Sequence, residues 1–285
     1  MKAQLIDGKR ISAEIKAEAA EEAVALKAKG ITPCLAVVLV GDDSASQVYV
    51  NNKKKACEAV GIRSVSHVLS GGTTEEALLE LIAKLNADKD IHGILVQMPV
   101  PKQIDERKVI LAIDPKKDVD CFHPVNVGNL HTGGEGFLPC TPAGIIELIK
   151  RSGHSIEGKQ CVVIGRSNIV GKPVAMLLMQ ENGTVTICHS RTRNLAEICR
   201  GADIIVSAVG KVNTVTADMV KEGAILIDVG MNRNEAGKLC GDVDFENVKE
   251  IAGAITPVPG GVGPMTIAML MKNCNIAAKI QNGLK

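Results

Sequence analysis

Three side chains capable of acid–base chemistry occur at helical spacing in the stretch SQVYVNNK, residues 46–53. Ser46, Tyr49 and Lys53 lie three and four positions apart, so an α-helix would place a hydroxyl, a phenol and an amine along one face. Tyr49 is the only tyrosine of the chain. Such a row could transfer protons at a bound substrate, but a Tyr-x-x-x-Lys pair alone does not distinguish this role from packing. The alternative is a surface helix on which Tyr49 is half packed and Lys53 extends to solvent.

The loop GRSNIVG, residues 165–171, follows an apolar strand-like run and precedes a predicted helix. A dinucleotide pyrophosphate binds at this position in α/β proteins, against the free N–H groups of the helix N-terminus. Ser167 occupies the second glycine position of the usual Gly-x-Gly-x-x-Gly spacing, so the motif alone is not diagnostic. The order of strand, glycine loop, helix and second strand favours cofactor binding over a structural turn.

The stretch HSRTR, residues 189–193, follows the second strand of this predicted unit and indicates which dinucleotide binds. An NAD site usually has Asp or Glu here for the ribose 2′-hydroxyl. Arg191, Arg193 and Ser190, with Arg166 in the glycine loop, would instead hold a 2′-phosphate. NADP is therefore the predicted cofactor. The alternative is that Arg191 and Arg193 merely solvate the start of a helix.

A proline–glycine loop, PGGVG at residues 259–263, is the third candidate site. Side chains are absent at three of its five positions, which lets the backbone approach a ligand closely. Pro264 suits the first turn of the helix that follows. We expect a ligand-facing loop, and a structural hinge is the alternative.

Composition excludes several classes of function. The 285 residues carry a net charge of +1 without a basic block or an aromatic ladder, which argues against nucleic acid as a partner. No apolar run is long enough to cross a bilayer, and the first residues lack a signal-peptide core. The nine cysteines are scattered, so neither a metal site nor a disulfide framework is indicated. We expect a soluble cytoplasmic protein.

Strand-like and helical segments alternate along the chain, which predicts an α/β fold with parallel sheets and crossover helices. We expect two domains, a catalytic domain formed by residues 1–139 and 266–285 and a Rossmann-like nucleotide-binding domain formed by residues 140–265. The last helix would return to the first domain. Residues 114–139 are predicted to be loop, and residues 237–244 a turn.

Taken together, these motifs resemble the bifunctional methylenetetrahydrofolate dehydrogenase/methenyltetrahydrofolate cyclohydrolase family, and the resemblance covers essentially the whole chain. The matching stretches, in chain order, are SQVYV with Lys53, GILVQMP (93–99), KDVD (117–120), FHP (122–124), PCTP (139–142), GRSNIVGKP (165–173), IDVG (227–230) and TPVPGGVGPMT (256–266).

The resemblance implies residue roles. Lys53 would be the key catalytic group, Tyr49 and Gln97 would position it and the folate, and Asp120 would hold the pterin ring. The remaining substrate-binding residues would be Pro259, Gly260, Gly261 and Thr266. The residues implied to bind NADP are Gly165, Arg166, Ser167, Ile169, Ser190, Arg191 and Met231. Two residues depart from the family pattern, which usually has glycine in place of Cys121 and isoleucine in place of Met231. No metal ligand is implied.

The implied reaction is oxidation of 5,10-methylenetetrahydrofolate by NADP, followed by hydrolysis of the cationic methenyl product to 10-formyltetrahydrofolate. Hydrolysis needs a proton acceptor beside a cation, and partial burial and a neighbouring cation both favour the neutral amine of a lysine. We therefore expect Lys53 to activate water. The resemblance also implies a homodimer acting on tetrahydrofolate derivatives.

Four other interpretations stay open at this point. A short-chain dehydrogenase also uses Tyr-x-x-x-Lys, but its glycine-rich loop precedes the tyrosine, which is the reverse of the order found here. The others are a two-domain dehydrogenase resembling shikimate dehydrogenase, a family member that has lost hydrolysis, and a nucleotide-binding sensor without turnover. One assay with methylenetetrahydrofolate and NADP or NAD separates them.

Overall fold

The computed structural model describes residues 2–284, apart from the side chains of residues 44 and 45. Its elements, in chain order, are β1 (Gln4–Leu5), α1 (Gly8–Ala28), β2 (Cys34–Val40), α2 (Ser44–Val60), β3 (Arg63–Leu69), α3 (Glu75–Ala87), β4 (Gly93–Val96), α4 (Glu106–Ala112), α5 (Pro124–Thr132), α6 (Cys140–Arg151), β5 (Gln160–Ile164), α7 (Gly171–Gln180), β6 (Thr184–Cys188), α8 (Leu195–Arg200), β7 (Ile204–Ser207), a 3-10 helix (Ala217–Met219), β8 (Ile225–Asp228), β9 (Asn232–Arg233), β10 (Leu239–Cys240), α9 (Phe245–Val248), β11 (Ala254–Ile255) and α10 (Val262–Gln281). None of the helices within the described residues is both long and apolar enough to span a membrane.

The chain divides into two compact units. The lysine unit contains Glu14–Cys140 and Ile267–Lys285, and the glycine-loop unit contains Met1–Ala13 and Thr141–Thr266. This division differs from the predicted one for residues 1–13, which were expected in the catalytic domain. The segment groups with the glycine-loop unit because β1 pairs in parallel with β11 and so joins its sheet. A two-residue strand carries no periodicity from which this pairing can be predicted.

The lysine unit contains a parallel sheet of three strands in the order β3-β2-β4. All seven residues of the central strand β2 are buried, as expected for a strand covered on both faces. Helix α2 follows β2 and has defined ends. Asp43 accepts a hydrogen bond from the Ser46 backbone N–H at 2.8 Å, and Gly61 closes the helix in the left-handed conformation at φ 77°.

The C-terminal helix α10 is tied into the lysine unit by buried amide side chains. Asn273 Nδ2 donates to the carbonyls of Val119 (2.7 Å) and Leu138 (2.9 Å). Asn275 Nδ2 donates to the carbonyl of Ala19 at 2.8 Å. The two bonds of Asn273 satisfy carbonyls outside the strands and thereby fix the segment that carries Asp120, and the bond of Asn275 ties α10 to α1.

The prediction that residues 114–139 form a loop is wrong, because α5 lies within them. His123 caps the helix by accepting from the Val125 N–H at 3.1 Å, and Pro124 occupies the first turn. Gly133 ends the helix at φ 69°. Proline at the start and glycine at the end are recognised helix signals. The many Asp, Pro and Gly residues around this short helix nevertheless favoured the prediction of a loop.

The glycine-loop unit contains a parallel sheet of six strands in the order β1-β11-β8-β7-β5-β6. The chain passes from β5 to β6 on one side and then returns to β7 on the other. The sheet therefore reverses its order at β5 and β7, as in doubly wound nucleotide-binding folds. The α/β class with a Rossmann-like second domain is confirmed.

The predicted turn at residues 237–244 is only partly correct. Gly237, at φ 73°, forms the tip of a hairpin in which β10 pairs antiparallel with β9. Residues 242 and 243 are buried rather than exposed. Asp242 accounts for this burial, because its carboxylate is hydrogen-bonded inside the unit.

Candidate active site

Helix α2 carries Ser46, Tyr49 and Lys53 on one face, since they are separated by three and four residues. Lys53 is 9% exposed and Ser46 is also buried, whereas Tyr49 is 39% exposed. Burial raises the pKa of the Tyr49 phenol. The burial of Lys53 contradicts the alternative in which this lysine extends from a surface helix into solvent.

The amine of Lys53 has a neutral hydrogen-bond acceptor. Its Nζ atom donates to Gln97 Oε1 at 2.9 Å. Gln97 directly follows β4, and its own backbone N–H donates to the Val38 carbonyl at 2.8 Å. The Gln97 Nε2 donates to the Met98 carbonyl at 2.8 Å, so the amide oxygen is the end that faces the lysine. The amide oxygen accepts from the amine and orients it without itself adding a charge.

Asp120 is a half-buried carboxyl group in the same unit. Burial raises its pKa, the charge of Lys53 opposes that shift, and the charge of Asp118 adds to it. The Cys140 thiol lies 3.9 Å from Asp120 Oδ1, a weak hydrogen bond. Asp120 therefore retains acceptor capacity, and it lies close enough to Lys53 for their charges to interact.

Asp118 is a carboxylate whose role the sequence did not reveal. It is buried and accepts from the backbone N–H groups of Phe122 (3.2 Å) and His123 (2.8 Å), and from Asn126 Nδ2 (2.8 Å). These bonds hold the turn that carries Asp120. The two aspartates of KDVD look equivalent in the sequence. The structure distinguishes them, because the Asp118 carboxylate is buried and the Asp120 carboxyl group is half-buried.

Cys121, one of the two departures from the family pattern, has a backbone φ of 62°. Glycine is the residue that adopts this left-handed conformation without steric cost, which explains why the family usually has glycine here. The Cys121 side chain is buried, and its thiol donates to the Phe137 carbonyl at 3.2 Å. The turn thus keeps its shape with a side chain that glycine lacks.

The glycine loop is packed too tightly for side chains at two positions. A Cβ atom on Gly165, whose φ is 129°, would lie 2.4 Å from the Ala208 carbonyl oxygen. A Cβ on Gly171 would lie 2.3 Å from the Gly165 carbonyl oxygen. Ser167 Oγ accepts from the N–H groups of Val170 and Gly171, each at 3.2 Å. Ser167 therefore caps the start of α7 from the position where the usual fingerprint has glycine.

The polar side chains predicted to bind the cofactor follow the carboxyl ends of neighbouring strands. Arg166 follows β5, and Arg191 follows β6, which pairs with β5 in parallel register. His189 orders the second loop, because its backbone N–H donates to Thr192 Oγ1 at 2.8 Å and its Nδ1 accepts from the Arg191 N–H at 3.2 Å. The exposed members of the predicted set are Arg166, Ser167, Ile169, Ser190, Arg191 and Met231.

The proline–glycine loop packs against the start of α1. A Cβ on Gly8 would lie 1.8 Å from the Gly261 carbonyl oxygen, and Gly260 has a φ of 108°. Gly261 is buried, whereas Pro259 is exposed. Close packing thus explains Gly8, and the positive φ explains Gly260. The role of the loop in substrate binding and the hinge alternative both stay predictions. In the helix that follows, the hydroxyl of Thr266 lies 2.8 Å from that of Thr141.

Comparison with known proteins identifies the family. The model of the tetrahydrofolate dehydrogenase/cyclohydrolase catalytic domain matches residues 6–120, and the model of the NAD(P)-binding domain of that family matches residues 139–282. The bifunctional protein FolD of Acetivibrio thermocellus is 60% identical over 285 residues, which is 100% of both chains.

Solved structures agree with this match over the full length. The bifunctional enzyme FolD, methylenetetrahydrofolate dehydrogenase/cyclohydrolase, of Campylobacter jejuni has a TM-score of 0.95 at 53% identity, covering 98% of this chain and 99% of that one. The Trypanosoma brucei methylenetetrahydrofolate dehydrogenase-cyclohydrolase, complexed with NADP cofactor and inhibitor, has a TM-score of 0.93 at 41% identity and covers 98% of each chain. The chain described here belongs to the tetrahydrofolate dehydrogenase/cyclohydrolase family.

Proposed function

We propose that the protein oxidises 5,10-methylenetetrahydrofolate with NADP to 5,10-methenyltetrahydrofolate and then hydrolyses this product to 10-formyltetrahydrofolate. Family membership supports both steps. The observation that carries the second step is the Lys53 amine, which is buried and hydrogen-bonded to the neutral oxygen of Gln97 rather than to a carboxylate. This contact fixes the position of the amine, which a side chain that takes a proton from bound water requires.

NADP fits the residues of the glycine-loop unit. The glycine loop leads into the N-terminus of α7, where a pyrophosphate can bind, and Arg166 and Arg191 supply charge for a 2′-phosphate. Ser167, Ile169, Ser190 and Met231 complete the proposed set. NADP would supply the hydride acceptor. The chain itself has to orient the substrate, because the adjacent nitrogen lone pair of the folate expels the hydride without an acid or base.

Hydrolysis depends on the lysine unit. Water adds to the cationic methenyl carbon and loses one proton to the Lys53 amine, which releases it to solvent. The bond from that carbon to one nitrogen of the five-membered ring then breaks as the carbinol hydroxyl becomes the formyl carbonyl, and the hydroxyl proton ends on the departing nitrogen. Proton transfer of this kind contributes about 10²–10⁴-fold to a rate. Gln97 orients the amine, and Tyr49, on the same face of α2, adds a polar group beside it.

Asp120 binds the pterin in this proposal. The pterin edge presents a pair of N–H donors, which a carboxylate accepts in parallel. Burial already raises the pKa of this carboxyl group, so donors from the substrate would satisfy a group that the fold leaves poorly solvated. Pro259, Gly260, Gly261 and Thr266 are proposed to bind the folate on the basis of the resemblance.

We further propose that the protein acts as a cytoplasmic homodimer. The family resemblance supports the dimer. All nine cysteines are free and eight of them are buried, which suits a reducing compartment.

Replacing Lys53 with methionine tests the proposal. We expect Lys53→Met to lower methenyltetrahydrofolate hydrolysis by about 10²-fold or more, the contribution of a positioned proton acceptor, while NADP binding is retained. The matched control is Lys54→Met, because Lys54 is the next residue of α2 and is exposed. Reduced nicotinamide and the methenyl and formyl products are followed together. Unchanged hydrolysis by Lys53→Met would exclude the proposed role.

A further inference from the structure

Two loops flank the point where the sheet of the glycine-loop unit reverses its order. One is the glycine loop, residues 165–171, after β5, and the other is the segment 208–211, after β7. Ligands of open α/β sheets bind outside the carboxyl ends of the strands at such a point. The two loops are in close contact, since the Ala208 carbonyl oxygen occupies the space beside Gly165.

The second of these loops is held by one carboxylate, that of Asp242. Asp242 is completely buried. Its Oδ2 accepts from Ser207 Oγ (3.1 Å) and from the N–H groups of Val209 (2.8 Å) and Gly210 (3.2 Å). Its Oδ1 accepts from the N–H of Lys211 at 2.9 Å. Asn232 Nδ2 donates to the same oxygen at 2.9 Å, so the carboxylate accepts from five donors.

A second carboxylate fixes Asp242 itself. Asp228, at the end of β8, accepts from the backbone N–H groups of Asp242, Val243 and Gly230, each at 2.9 Å. A Cβ on Gly230 would lie 2.2 Å from Asp242 Oδ1, so the two segments are in direct contact. Asp242 therefore has little freedom to move, and neither does the loop that donates to it.

The direction of these hydrogen bonds determines which backbone groups of residues 208–211 remain available to a ligand. The N–H groups of Val209, Gly210 and Lys211 are consumed by Asp242, so this segment has no such donors left for a phosphate. A buried negative charge behind it also disfavours an anion. The glycine loop, which carries Arg166 and leads into the N-terminus of α7, is the phosphate side. The β7 loop is then the wall for the ribose and nicotinamide end of the cofactor, which carries no phosphate beyond the pyrophosphate and whose oxidised ring is cationic.

We propose that Asp242 is a positioning residue for the nicotinamide half of NADP, acting through the loop at residues 208–211. This inference rests on the proposed function. The proposal distinguishes the placement of the nicotinamide from the binding of the rest of the cofactor. A shift of the loop would misplace the hydride acceptor without changing the binding of the phosphates or of the adenosine. Proton chemistry at Lys53 belongs to the lysine unit and would not change.

The experiment compares Asp242→Asn with Asp203→Asn. Asp203 also accepts from a backbone N–H, that of Gln160 at 2.9 Å, but it precedes β7 at the opposite end of the strand. Three quantities are measured: NADP-dependent oxidation, affinity for adenosine 2′,5′-bisphosphate, and methenyltetrahydrofolate hydrolysis. We expect Asp242→Asn to lower the oxidation rate by about 10²-fold, the typical effect of a displacement of about 1 Å, and to leave the other two unchanged.

Ser207→Ala provides a milder second variant, because it removes a single donor to Asp242. We expect it to lower oxidation selectively and by less. A parallel loss of bisphosphate affinity or of hydrolysis in either variant would show general damage and overturn the proposal, as would unchanged oxidation in Asp242→Asn. Failure of the wild-type protein to oxidise methylenetetrahydrofolate would refute the proposed function instead, which keeps the two failures distinguishable.

Discussion

Replacing Gln97 with glutamate tests whether a negative charge beside Lys53 impairs hydrolysis. The side chains have the same shape, so the Lys53 Nζ would keep an acceptor oxygen at the 2.9 Å now separating it from Gln97 Oε1. The change adds one negative charge to a site where the lysine is 9% exposed. It therefore favours the ammonium form, which cannot accept a proton from water.

The size of the effect follows from the distance. An opposite charge this close, in a partly buried site, stabilises the charged form by about one to three powers of ten, or roughly 1.4–4 kcal/mol. Because the proposed role of Lys53 is to accept a proton, stabilising its charged form opposes that role, and we expect hydrolysis by Gln97→Glu to fall about 10- to 10³-fold. Oxidation should fall much less, because the hydride step needs no base.

The assay follows the disappearance of methenyltetrahydrofolate and, separately, the oxidation step. Gln97→Met removes the acceptor without adding charge, so it should lose less hydrolysis than Gln97→Glu. Gln47→Glu, at an exposed position of α2, controls for added charge. A loss of hydrolysis in Gln97→Glu no greater than in Gln97→Met would refute the reasoning.

Two further predictions concern stability. Cys121→Gly should be more stable to denaturant than Cys121→Ala. Both variants lose the thiol, but only alanine keeps the strain of about 1–2 kcal/mol that a side chain causes in the left-handed conformation at φ 62°. Equal stabilities would contradict this account of the turn. Burial raises the pKa of Asp228 from 3.8 to about 6. The folded state thus binds this proton more tightly than the unfolded chain, and lowering the pH from 7 to 5 should stabilise the wild type by about 1.3 kcal/mol relative to Asp228→Asn. Denaturation at both pH values measures the difference, and a constant difference would exclude a raised pKa.

The sequence predicted the elements that carry the site more reliably than the contacts within it. Strand β2 and the helix bearing Lys53 follow from an unbroken apolar run and a terminal glycine. The bond between Lys53 and Gln97 spans 44 positions and has no local signature. It was inferred only from the family resemblance, because pairing across a parallel sheet depends on strand order, which periodicity does not give.

The carboxylates show the same limit more clearly. Asp242 was not singled out, because its partners are mostly backbone N–H groups, which every residue except proline possesses. Asp118 and Asp120 lie two positions apart and differ in role because of a turn whose shape depends on Asn273, more than 150 positions away. Side-chain type alone cannot separate a scaffolding carboxylate from a binding one.

The number of hydrogen bonds that each carboxylate accepts within the fold distinguishes Asp118 and Asp242 from Asp120. Asp242 accepts five bonds and has used its capacity within the fold, and Asp118 accepts three of the roughly four that a carboxylate can take. Each orders a loop that lacks strand partners, which offsets the cost of burying its charge. Asp120 accepts one weak bond from a thiol, and its partial burial would be costly unless donors arrive with a ligand. A half-buried carboxylate with most of its acceptor capacity unused beside a lysine is therefore the group expected to bind substrate, and a carboxylate whose bonds lie within the fold is the group expected to hold the site in shape.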